Sequence, residues 1–429
     1  MGKLSIQRTP ASMKKLNIVI STIGTVGDVL PYLSIAKSLQ ECGHNTVVAT
    51  CEIHRELCDK NKIRFKPLSP NLDIGKDALI KRMMNSRHGE GIIFKEVILA
   101  NIENSYNELF EITDDCDILI NHCYCYAGPI VAEKKNLLWI SGHLSPVNFW
   151  SAFDPSIISI SEYLIHLPKM GLVVNRYFIQ KAKKQLLDWC SPIESLRKKL
   201  GLPYFEHPVF EGMFSKHLSL ALFSSEFAKP QKDWPKSCIQ TGFVRQHNSE
   251  WKNLALEKFI FENDRPLIIV AFGSSVVNNC ENIYSIIENI SAGSKCKFLF
   301  IGGNKGFNSD KLFYLDSVPY RSVFKYGKLI IHHGGIGTTS DAMLAGVPMI
   351  ILPQFADQPD NAYRVRKLGL GNFIQKSKLC EKSLGKMIKK MLTNNDYLTK
   401  AKLVSDKLAI ENANKIILTK IMDLSFKKN

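Results

Sequence analysis

The sequence lacks the features that mark membrane-spanning, secreted and disulfide-linked proteins. No apolar run approaches the roughly 18 residues that a membrane-spanning helix needs. Residues 1–15 carry charges but no apolar segment ahead of a small-residue cleavage site, which argues against a secretory signal. The eleven cysteines are scattered, odd in number and without a CxxC pair. This usage favours reduced thiols and a cytoplasmic protein over a disulfide framework.

The common phosphate and metal motifs are also missing. The order of residues in 302–306 does not match GxxxxGK[ST], and 335–340 lacks the third glycine of GxGxxG. These mismatches exclude a P-loop and disfavour a dinucleotide site. His122 beside Cys123 and Cys125 is the densest group of metal-ligating residue types, but it lacks a fourth ligand at zinc spacing. We therefore expect neither a bound metal nor a cofactor.

Positive charge is in excess, because 56 lysines and arginines against 40 acidic residues leave a net charge of +16. Three interpretations stay open: attraction of an anionic ligand, contact with the inner face of a membrane, and a lysine-rich composition without a specific role. A nucleic-acid partner is not expected, because the basic residues form no stripe on a known binding module. A chain of 429 residues with 45% hydrophobic content is long enough for two globular domains.

One stretch, residues 329–371, carries the most informative pattern in the chain. Its apolar start predicts a buried strand, which His332 and His333 follow at the strand end. A glycine-rich turn over 334–337 then leads into a helical pattern that ends at Gly346. A strand, turn and helix N-terminus in this order expose backbone N–H groups and the positive end of the helix dipole. The segment therefore predicts a phosphate site.

A second group of polar residues follows the next predicted strand, Met349 to Leu352. Asp357, Gln358 and Asn361 lie where loops leave the carboxyl edge of a parallel sheet, which is the usual ligand edge of such sheets. Their carboxylate and amide groups suit the hydroxyls of a sugar. Phosphate donors and sugar-binding groups in one segment indicate a nucleotide-sugar site.

The segment resembles the donor-binding motif of inverting family 1 glycosyltransferases, which have the two-domain GT-B fold and bind UDP- or dTDP-sugars. Further similarity lies in Gly24–Pro31, Gly43-His44, Ser145-Pro146, Asp233-Trp234-Pro235 and Thr241-Gly242-Phe243. Together these stretches resemble the branch that contains bacterial rhamnosyltransferases, sterol glucosyltransferases and antibiotic glycosyltransferases. The resemblance spans nearly the whole chain and implies an α/β fold with two Rossmann-like, doubly wound domains that face each other across a cleft.

Alternating apolar strands and helices, together with this resemblance, divide the chain into segments. Residues without apolar periodicity precede a second strand–turn–helix start, and they are the predicted linker. The predicted segments are a leader at 1–14, an acceptor-binding domain at 15–240, a linker at 241–265, a nucleotide-sugar-binding domain at 266–405 and a C-terminal helix at 406–429. The resemblance would bring this last helix back onto the first domain.

Glycosyl transfer with inversion needs a general base that takes the proton from the acceptor hydroxyl. Asp28 follows the first predicted strand, and in the resembling family this position holds the catalytic His or Asp. The alternative is structural, because Asp28 also precedes a predicted helix and aspartate is a favoured N-cap residue. Both interpretations stay open on the sequence alone.

The remaining expected site residues are those that the resemblance implies. We expect His332 to contact the diphosphate, with His333 as a structural histidine, and Asp357 and Gln358 to bind the sugar hydroxyls. The expected donor site comprises Gly27, Ser274, Val318, His332, Gly334, Gly335, Gly337, Thr338, Thr339, Asp357 and Gln358. The expected acceptor site comprises His143, Ser145 and Phe149.

The predicted activity is transfer of a hexose or deoxyhexose from a UDP- or dTDP-sugar to a hydroxyl of an apolar acceptor, such as a lipid, sterol or polyketide. Residues 156–200 mix bulky apolar residues with lysines and predict helices that wall the acceptor pocket. Residues 115–117 match the DxD pattern of manganese-dependent glycosyltransferases of another fold, but any two carboxylates at this spacing satisfy it.

Three other functions stay open at this stage. One is a nucleotide-sugar epimerase or hydrolase of the same architecture, and another is a catalytically silent helper that acts with a partner subunit. A Rossmann oxidoreductase is disfavoured by the missing glycine fingerprint. Peripheral contact with the inner face of the membrane is likewise left open.

Overall fold

The computed structural model describes residues 15–71, 82, 89–157, 164–203, 206–245, 251–272, 281–302 and 308–426. Its strands form two separate sheets. The first sheet contains β1 (Asn17–Ser21), β2 (Asn45–Thr50), β3 (Arg64–Pro67), β4 (Ile118–His122), β5 (Leu138–His143), β6 (Leu218–Ala221) and β7 (Cys238–Gln240). The second contains β8 (Leu267–Ala271), β9 (Lys297–Ile301), β10 (Leu312–Leu315), β11 (Leu329–His332), β12 (Met349–Ile351) and β13 (Gly371–Phe373).

The helices alternate with these strands along the chain. Those that accompany the first sheet are α1 (Val26–Glu41), α2 (Arg55–Lys60), α3 (Gly89–Ile92), α4 (Ile102–Ile112), α5 (Ala127–Lys135), α6 (Leu172–Trp189) and α7 (Ser191–Lys199). Those that follow are α8 (Leu254–Phe261), α9 (Glu281–Ala292), α10 (Tyr320–Val323), α11 (Ile336–Ala345), α12 (Gln358–Leu368), α13 (Glu381–Thr393), α14 (Asn395–Ala409) and α15 (Ala413–Phe426). Within the described ranges, none of the helices combines the length and apolarity needed to cross a bilayer.

Both sheets are doubly wound. The strand orders are β3-β2-β1-β4-β5-β6-β7 and β10-β9-β8-β11-β12-β13, and all the paired strands are parallel. Ile18, Val19 and Ile20 of β1 are all buried, because helices cover both faces of a parallel sheet. The order reverses between β1 and β4 in the first sheet and between β8 and β11 in the second. This arrangement confirms the predicted pair of Rossmann-like domains.

Several short elements lie where the sequence predicted none. The strands β7, β10 and β13 have only three or four residues each, too few to show a period. Gly371 of β13 illustrates a constraint that only the fold reveals, because a Cβ there would lie 2.0 Å from the Met349 carbonyl oxygen. The helix α8 occupies part of the predicted linker, and it buries Leu256 and Phe259 in the core beside the second sheet. Its N-cap, Asn253, accepts a hydrogen bond from the Leu256 N–H at 3.0 Å.

The C-terminal helix α15 packs on the first domain. Ile417 and Ile421 join the apolar cluster that contains Val29 and Leu33 of α1. Beside this cluster, the Asn414 side-chain amide donates to the Ser38 hydroxyl at 2.9 Å. The chain therefore returns to its first domain after the second sheet is complete, and the two domains are joined at a second place.

Candidate active site

The predicted site loops lie where the strand order of each sheet reverses. In the first sheet, residues 22–25 follow β1 and residues 123–124 follow β4. In the second, residues 333–335 follow β11, while residues 273–280 of the loop after β8, including Ser274, lie outside the described ranges. In open parallel sheets, ligands bind at such crevices beyond the carboxyl ends of the strands.

Asp28 lies in the first turn of α1 rather than ahead of it. The helix begins at Val26, so Asp28 is its third residue, and one carboxylate oxygen accepts from both groups of Thr25. The Thr25 N–H donates to Asp28 Oδ2 at 2.7 Å, and the Thr25 hydroxyl donates to the same oxygen at 2.9 Å. Among the described residues, Oδ1 has no hydrogen-bond partner and stays available to another group. Asp28 thus stabilises the helix start with one oxygen and presents the other.

The loop that carries Asp28 has little conformational freedom. Gly24 has φ of +127°, and a Cβ there would lie 2.4 Å from Asp28 Oδ2. A side chain at this position would therefore displace the carboxylate. Buried His54 holds the same loop, because its Nε2 lies 3.0 Å from the Gly24 carbonyl oxygen. Gly27, an expected donor-site residue, is exposed beside Asp28.

His332 ends β11 as a fully buried side chain with one unsatisfied nitrogen. The Gly334 N–H donates to His332 Nδ1 at 3.1 Å, so Nδ1 is an acceptor and the proton of the neutral ring lies on Nε2. Burial lowers the pKa of His332 well below its usual value, and His333 lowers it further. Nε2 is buried without a hydrogen-bond partner among the described residues. The ring is therefore a neutral N–H donor that lacks an acceptor.

The glycine turn leads into α11, whose first-turn N–H groups have no acceptor within the helix. Gly335 is the N-cap, and Gly337 lies in the first turn. The Thr339 hydroxyl donates to the Gly335 carbonyl at 2.9 Å, and the Thr338 hydroxyl is hydrogen-bonded to Tyr320. Backbone groups rather than threonine hydroxyls are consequently the available donors at this helix tip.

His333 points into a different environment from its neighbour. Its pKa is lowered to about 4 by burial, an effect that a hydrogen bond with the Ala271 backbone partly offsets. A Cβ on Gly335 would lie 2.6 Å from His333 Nε2, so the ring packs directly against the turn. His333 is therefore part of the packing around the glycine turn.

Asn361 ties the phosphate turn to the predicted sugar-binding segment. Its amide nitrogen donates to the Gly334 carbonyl at 2.9 Å and to Asp357 Oδ2 at 2.8 Å. Gln358 begins α12 and turns inward, where its side-chain oxygen accepts from the Gln354 N–H at 2.8 Å. Ala356, just ahead of Asp357, has φ of +57°, a strained value of the kind that clusters at ligand sites.

Asp28 and Asp357 come from different domains and influence each other electrostatically. The pKa of Asp357 is raised to about 7 by burial, with a further increase from the negative charge of Asp28. Burial raises the pKa of Tyr124, which follows β4, and the negative charges of Asp357 and Asp28 raise it further. Ile336, the first residue of α11, packs against the apolar cluster of the first domain that contains Val29. The two acidic groups therefore face one crevice between the domains.

The residues expected to bind the acceptor lie mainly in the core. His143 ends β5 and stacks on Phe214 with ring centroids 4.2 Å apart. Burial, with a smaller effect from His122, lowers its pKa to about 3. Phe149 stacks on Trp234 at 4.0 Å and is also buried. Val318, which was expected in the donor site, is likewise buried in the apolar cluster that contains Phe149. All three side chains therefore pack in the core.

Ser145 lies at the domain interface, and its hydroxyl donates to the Asn361 side-chain oxygen at 3.4 Å. This contact places the first-domain loop that follows β5 next to the segment that carries Asp357.

Two further residues of the crevice were not proposed from the sequence. His122 ends β4 with its Nδ1 3.1 Å from the Ile23 carbonyl, so Nδ1 carries the proton. Buried Nε2 is then an acceptor that has no partner within the described ranges. Tyr124 lies beside it with ring centroids 5.0 Å apart, and its hydroxyl donates to Asn148 at 2.9 Å. Their position directly after a predicted strand, next to β1 in a doubly wound order, was the signal available in the sequence.

A buried ion-pair network connects the domains beside the site. Arg364 of α12 contacts Asp154 of the first domain and donates to Asp360 at 2.7 Å. Arg364 is 4% exposed at the side chain, Asp360 0% and Asp154 16%. Asp360 also accepts from the Ile157 N–H at 3.0 Å, and Lys367 lies 3.3 Å from Asp154. We call these three charged residues, Asp154, Asp360 and Arg364, the interdomain clamp.

Metal-ligating groups are dispersed in the part of the chain that the structure describes, where no group of three His, Cys, Asp or Glu side chains could hold a metal ion. Asp117, from the DxD-like triplet, instead accepts from the Asn17 N–H at 2.8 Å at the start of β1. This carboxylate lies at the amino end of the sheet, the edge opposite the candidate site.

Comparisons with known proteins agree with this geometry. The family model of the glycosyltransferase family 28 N-terminal domain matches residues 18–149. The model of the C-terminal domain of erythromycin biosynthesis protein CIII-like proteins matches residues 309–424. The two matches fall on the two sheets and include Asp28 in the first and His332 in the second.

Curated relatives of the chain are glycosyltransferases. O-mycaminosyltylonolide 6-deoxyallosyltransferase of Streptomyces fradiae is 22% identical over 407 residues, which cover 92% of this chain and 94% of the relative. Sterol 3-beta-glucosyltransferase of Komagataella phaffii is 25% identical over 434 residues, which cover 94% of this chain. This chain spans only about a third of that longer enzyme, 34% of its length.

Solved structures share the fold over nearly the whole chain. Spinosyn forosaminyltransferase superposes with a TM-score of 0.70 at 14% identity, covering 96% of this chain and 100% of that one. The glycosyltransferase VinC in complex with dTDP superposes with a TM-score of 0.69 at 14% identity and the same coverage.

Two doubly wound domains, with the glycine turn of one facing an acidic residue of the other across a crevice, give this chain the GT-B fold. Together with the family models and the curated relatives, this makes the chain a glycosyltransferase, and the resemblance predicted from the motifs around Asp28 and His332 is confirmed.

Proposed function

We propose that the enzyme transfers a hexose or deoxyhexose from a UDP- or dTDP-sugar to a hydroxyl of an apolar acceptor, with inversion at the anomeric carbon. By their names, the curated relatives described above act on O-mycaminosyltylonolide and on sterols, and the VinC structure is a complex with dTDP. Apolar side chains from the first domain, among them Leu68 and Ile102, line a small internal cavity that reaches Tyr124.

In this mechanism the acceptor hydroxyl approaches from the first domain. Asp28 Oδ1, the oxygen without a partner among the described residues, takes its proton as the acceptor oxygen attacks the anomeric carbon. The bond from that carbon to the diphosphate breaks on the opposite face, and the diphosphate leaves with an added negative charge. The His332 Nε2–H and the N–H groups at the start of α11 stabilise this charge. No step requires a metal.

One observation supports this proposal most strongly. His332 is a buried N–H donor that lacks an acceptor among the described residues. It lies at the start of α11, whose first-turn N–H groups have no acceptor within the helix. An unpaired buried donor costs roughly 1–3 kcal/mol, and a diphosphate oxygen would satisfy it. Asp28 faces this site from the other domain, where a base for the acceptor hydroxyl belongs.

Nucleotide binding tests the donor assignment. A thermal-shift series with UDP, dTDP and GDP, each alone and as its sugar conjugate, measures which ligand binds the native state. We expect UDP or dTDP and its sugar to raise the melting temperature, and GDP to have little effect. No shift with either pyrimidine nucleotide contradicts the proposal, and a chelator that removes the shift contradicts the metal-free mechanism.

Product analysis separates transfer from the other activity of the same architecture. With a donor sugar and a panel of hydroxylated apolar compounds, we expect a glycoside whose anomeric configuration is opposite to that of the donor. Release of free or epimerised sugar at the same rate without acceptor would instead show an epimerase or hydrolase.

We predict that His332→Ala weakens UDP or dTDP binding by about tenfold to hundredfold, the loss expected for one hydrogen bond to a charged group. Isothermal titration with the nucleotide measures the effect. His207→Ala is the matched control, because His207 is also buried but lies in the first domain, with its Nε2 3.0 Å from the Lys183 carbonyl. Unchanged affinity in His332→Ala removes this residue from the diphosphate site.

We predict that Asp357→Asn is more stable than the wild type near pH 8 and that this advantage disappears towards pH 4. The pKa of Asp357 is about 7 in the folded chain and about 3.9 in an unfolded one. Between these values the folded state binds the proton and the unfolded state does not, so wild-type stability falls as pH rises. Melting temperatures across this range measure the difference.

The same series tests the proximity of the two acidic groups. Because the charge of Asp28 raises the pKa of Asp357, Asp28→Asn should shift the pH dependence assigned to Asp357 to lower pH. Exposed Asp396→Asn is the control and should leave the curve unchanged. A stability difference between wild type and Asp357→Asn that does not vary with pH would refute the raised pKa.

A further inference from the structure

The helix α6 has an unusual outer surface. Five of the fourteen large apolar side chains that are exposed among the described residues lie between 170 and 187. Val173 is 83% exposed, Tyr177 65% and Leu187 37%. A soluble protein rarely exposes apolar side chains in such a cluster unless the surface binds something.

Basic residues lie on the same side of this helix. Arg176, Lys181 and Lys184 are exposed, and with Val173, Tyr177 and Leu187 they recur mainly at spacings of three or four residues. We call these six residues the outer face of α6. Asp188 is the acidic residue on this side, so the cations exceed the acids by three to one.

The opposite side of α6 is already in use. Asn175 is buried and donates to the Ala152 carbonyl at 2.9 Å, while Ile179, Ala182 and Leu186 pack against the core of the first domain. The inner side of α6 therefore already packs on the first domain, and the outer face is not needed for packing within the described chain.

We propose that the outer face of α6 docks on an anionic lipid bilayer. A helix that combines exposed apolar residues with lysine and arginine is the pattern of interfacial helices, whose apolar side chains enter the headgroup region while the cations meet lipid phosphates. The net charge of +16 adds to the attraction. A second copy of the chain does not fit as the occupant, because it would bring two faces of like charge together.

Docking at this surface would orient the active site. The Ala152 carbonyl that Asn175 contacts lies in the same loop as Asp154, which joins the interdomain clamp on the helix that begins at Gln358. The lipid surface would therefore lie one helix away from a first-domain loop that contacts the second domain beside the site. The proposed docking itself does not depend on the identity of the donor or acceptor.

Vesicle sedimentation tests the proposal with the full-length chain. Vesicles of phosphatidylcholine alone are compared with an equimolar mixture of phosphatidylcholine and phosphatidylglycerol, at low and high salt. We expect binding to the anionic vesicles that weakens with salt, and little binding to the neutral ones. Absence of binding to anionic vesicles, or equal binding to both kinds, overturns the proposal.

Two double variants assign the binding to this face. Val173→Asp/Tyr177→Asp and Lys181→Glu/Lys184→Glu should each weaken binding at least about tenfold, since each basic residue near an anionic surface contributes roughly fivefold. All four side chains are exposed, so circular dichroism spectra and melting temperatures should stay those of the wild type. Unchanged binding by both variants overturns the proposal.

The controls carry the same charge changes on other surfaces. Leu403→Asp/Ile410→Asp alters two apolar side chains that are 59% and 86% exposed, and Lys389→Glu/Lys390→Glu alters two exposed lysines. Both controls should bind within about twofold of the wild type. Loss of binding in the controls would show that net charge alone is responsible and overturns the assignment to α6.

Sedimentation equilibrium without lipid tests whether a second copy of the chain binds this face instead. The wild type should be monomeric, and a dimer that Val173→Asp/Tyr177→Asp dissociates would show that the face binds a second copy instead. Because none of these measurements uses sugar transfer, their failure leaves the proposed activity standing, and failure of the transfer assay leaves the docking surface standing.

Discussion

Asp28→Asn should lower kcat by about 10²- to 10⁴-fold while the thermal shift produced by UDP or dTDP stays intact. This loss is what removal of a general base costs, because asparagine cannot take the proton from the acceptor hydroxyl. The fold should tolerate the change, since an asparagine oxygen can still accept from the Thr25 N–H at the start of α1. Turnover with donor and acceptor, together with the nucleotide shift, measures both parts of the prediction.

Asp117→Asn is the matched control for this experiment. Its carboxylate also accepts from a backbone N–H, that of Asn17, but it lies at the amino edge of the first sheet. We expect wild-type turnover from this variant. Undiminished turnover in Asp28→Asn would limit Asp28 to stabilising the start of α1. A large loss in His122→Gln alone would identify His122 Nε2 as the base.

Arg364→Met should destabilise the chain by about 3–5 kcal/mol, the range measured when one partner of a buried ion pair is removed. The variant leaves Asp360 fully buried without its cation, and it removes the main partner of Asp154. Although burial alone would raise the pKa of Asp154, Arg364 and Lys367 hold it below its usual value. Denaturant unfolding followed by tryptophan fluorescence measures the loss.

A second variant separates the ion pair from simple packing. Adding Asp360→Asn to Arg364→Met should recover part of the lost stability, because the buried charge is gone and asparagine can still accept from the Ile157 N–H. Arg265→Met is the control, since it breaks an arginine–aspartate pair whose side chains are 38% and 68% exposed, and it should cost less than about 1 kcal/mol. Equal losses in the two single variants would contradict a role for burial.

The clamp also predicts a kinetic effect. Asp357 and Gln358 lie at the start of the helix that Arg364 anchors to the first domain. Loosening this helix should raise KM for the nucleotide sugar more than it lowers kcat. An unchanged KM in Arg364→Met would show that the clamp stabilises the fold without positioning the sugar-binding segment.

The predicted fold followed from patterns that are local in the chain. The apolar runs of β1, β4, β8 and β11 are buried on both faces, so each is visible as a continuous hydrophobic stretch. The phosphate turn after His332 is equally local, because a strand end, three glycines and a helix start succeed one another within ten residues. Both patterns can be recognised in the sequence without knowing which residues pack around them.

Other elements of the site had no such signal. Arg364 meets Asp154 across a separation of 210 residues, and nothing near either residue indicates the other. His122 and Tyr124 become candidates only once β4 is known to lie beside β1. The aromatic stacking that buries His143 and Phe149 likewise depends on Phe214 and on Trp234, which come from distant parts of the chain.

By itself, the sequence determined two doubly wound domains, the phosphate turn at His332 and the acidic residue at Asp28, because each rests on contacts among neighbouring residues. Only the tertiary structure decided that Asp28 and Asp357 share one crevice and that α6 presents apolar and basic side chains outward. It also decided that the His332 N–H has no partner in the part of the chain that the structure describes. The physical reason is the same in each case: burial, charge coupling and exposure are set by groups far apart in sequence, and folding alone brings those groups together.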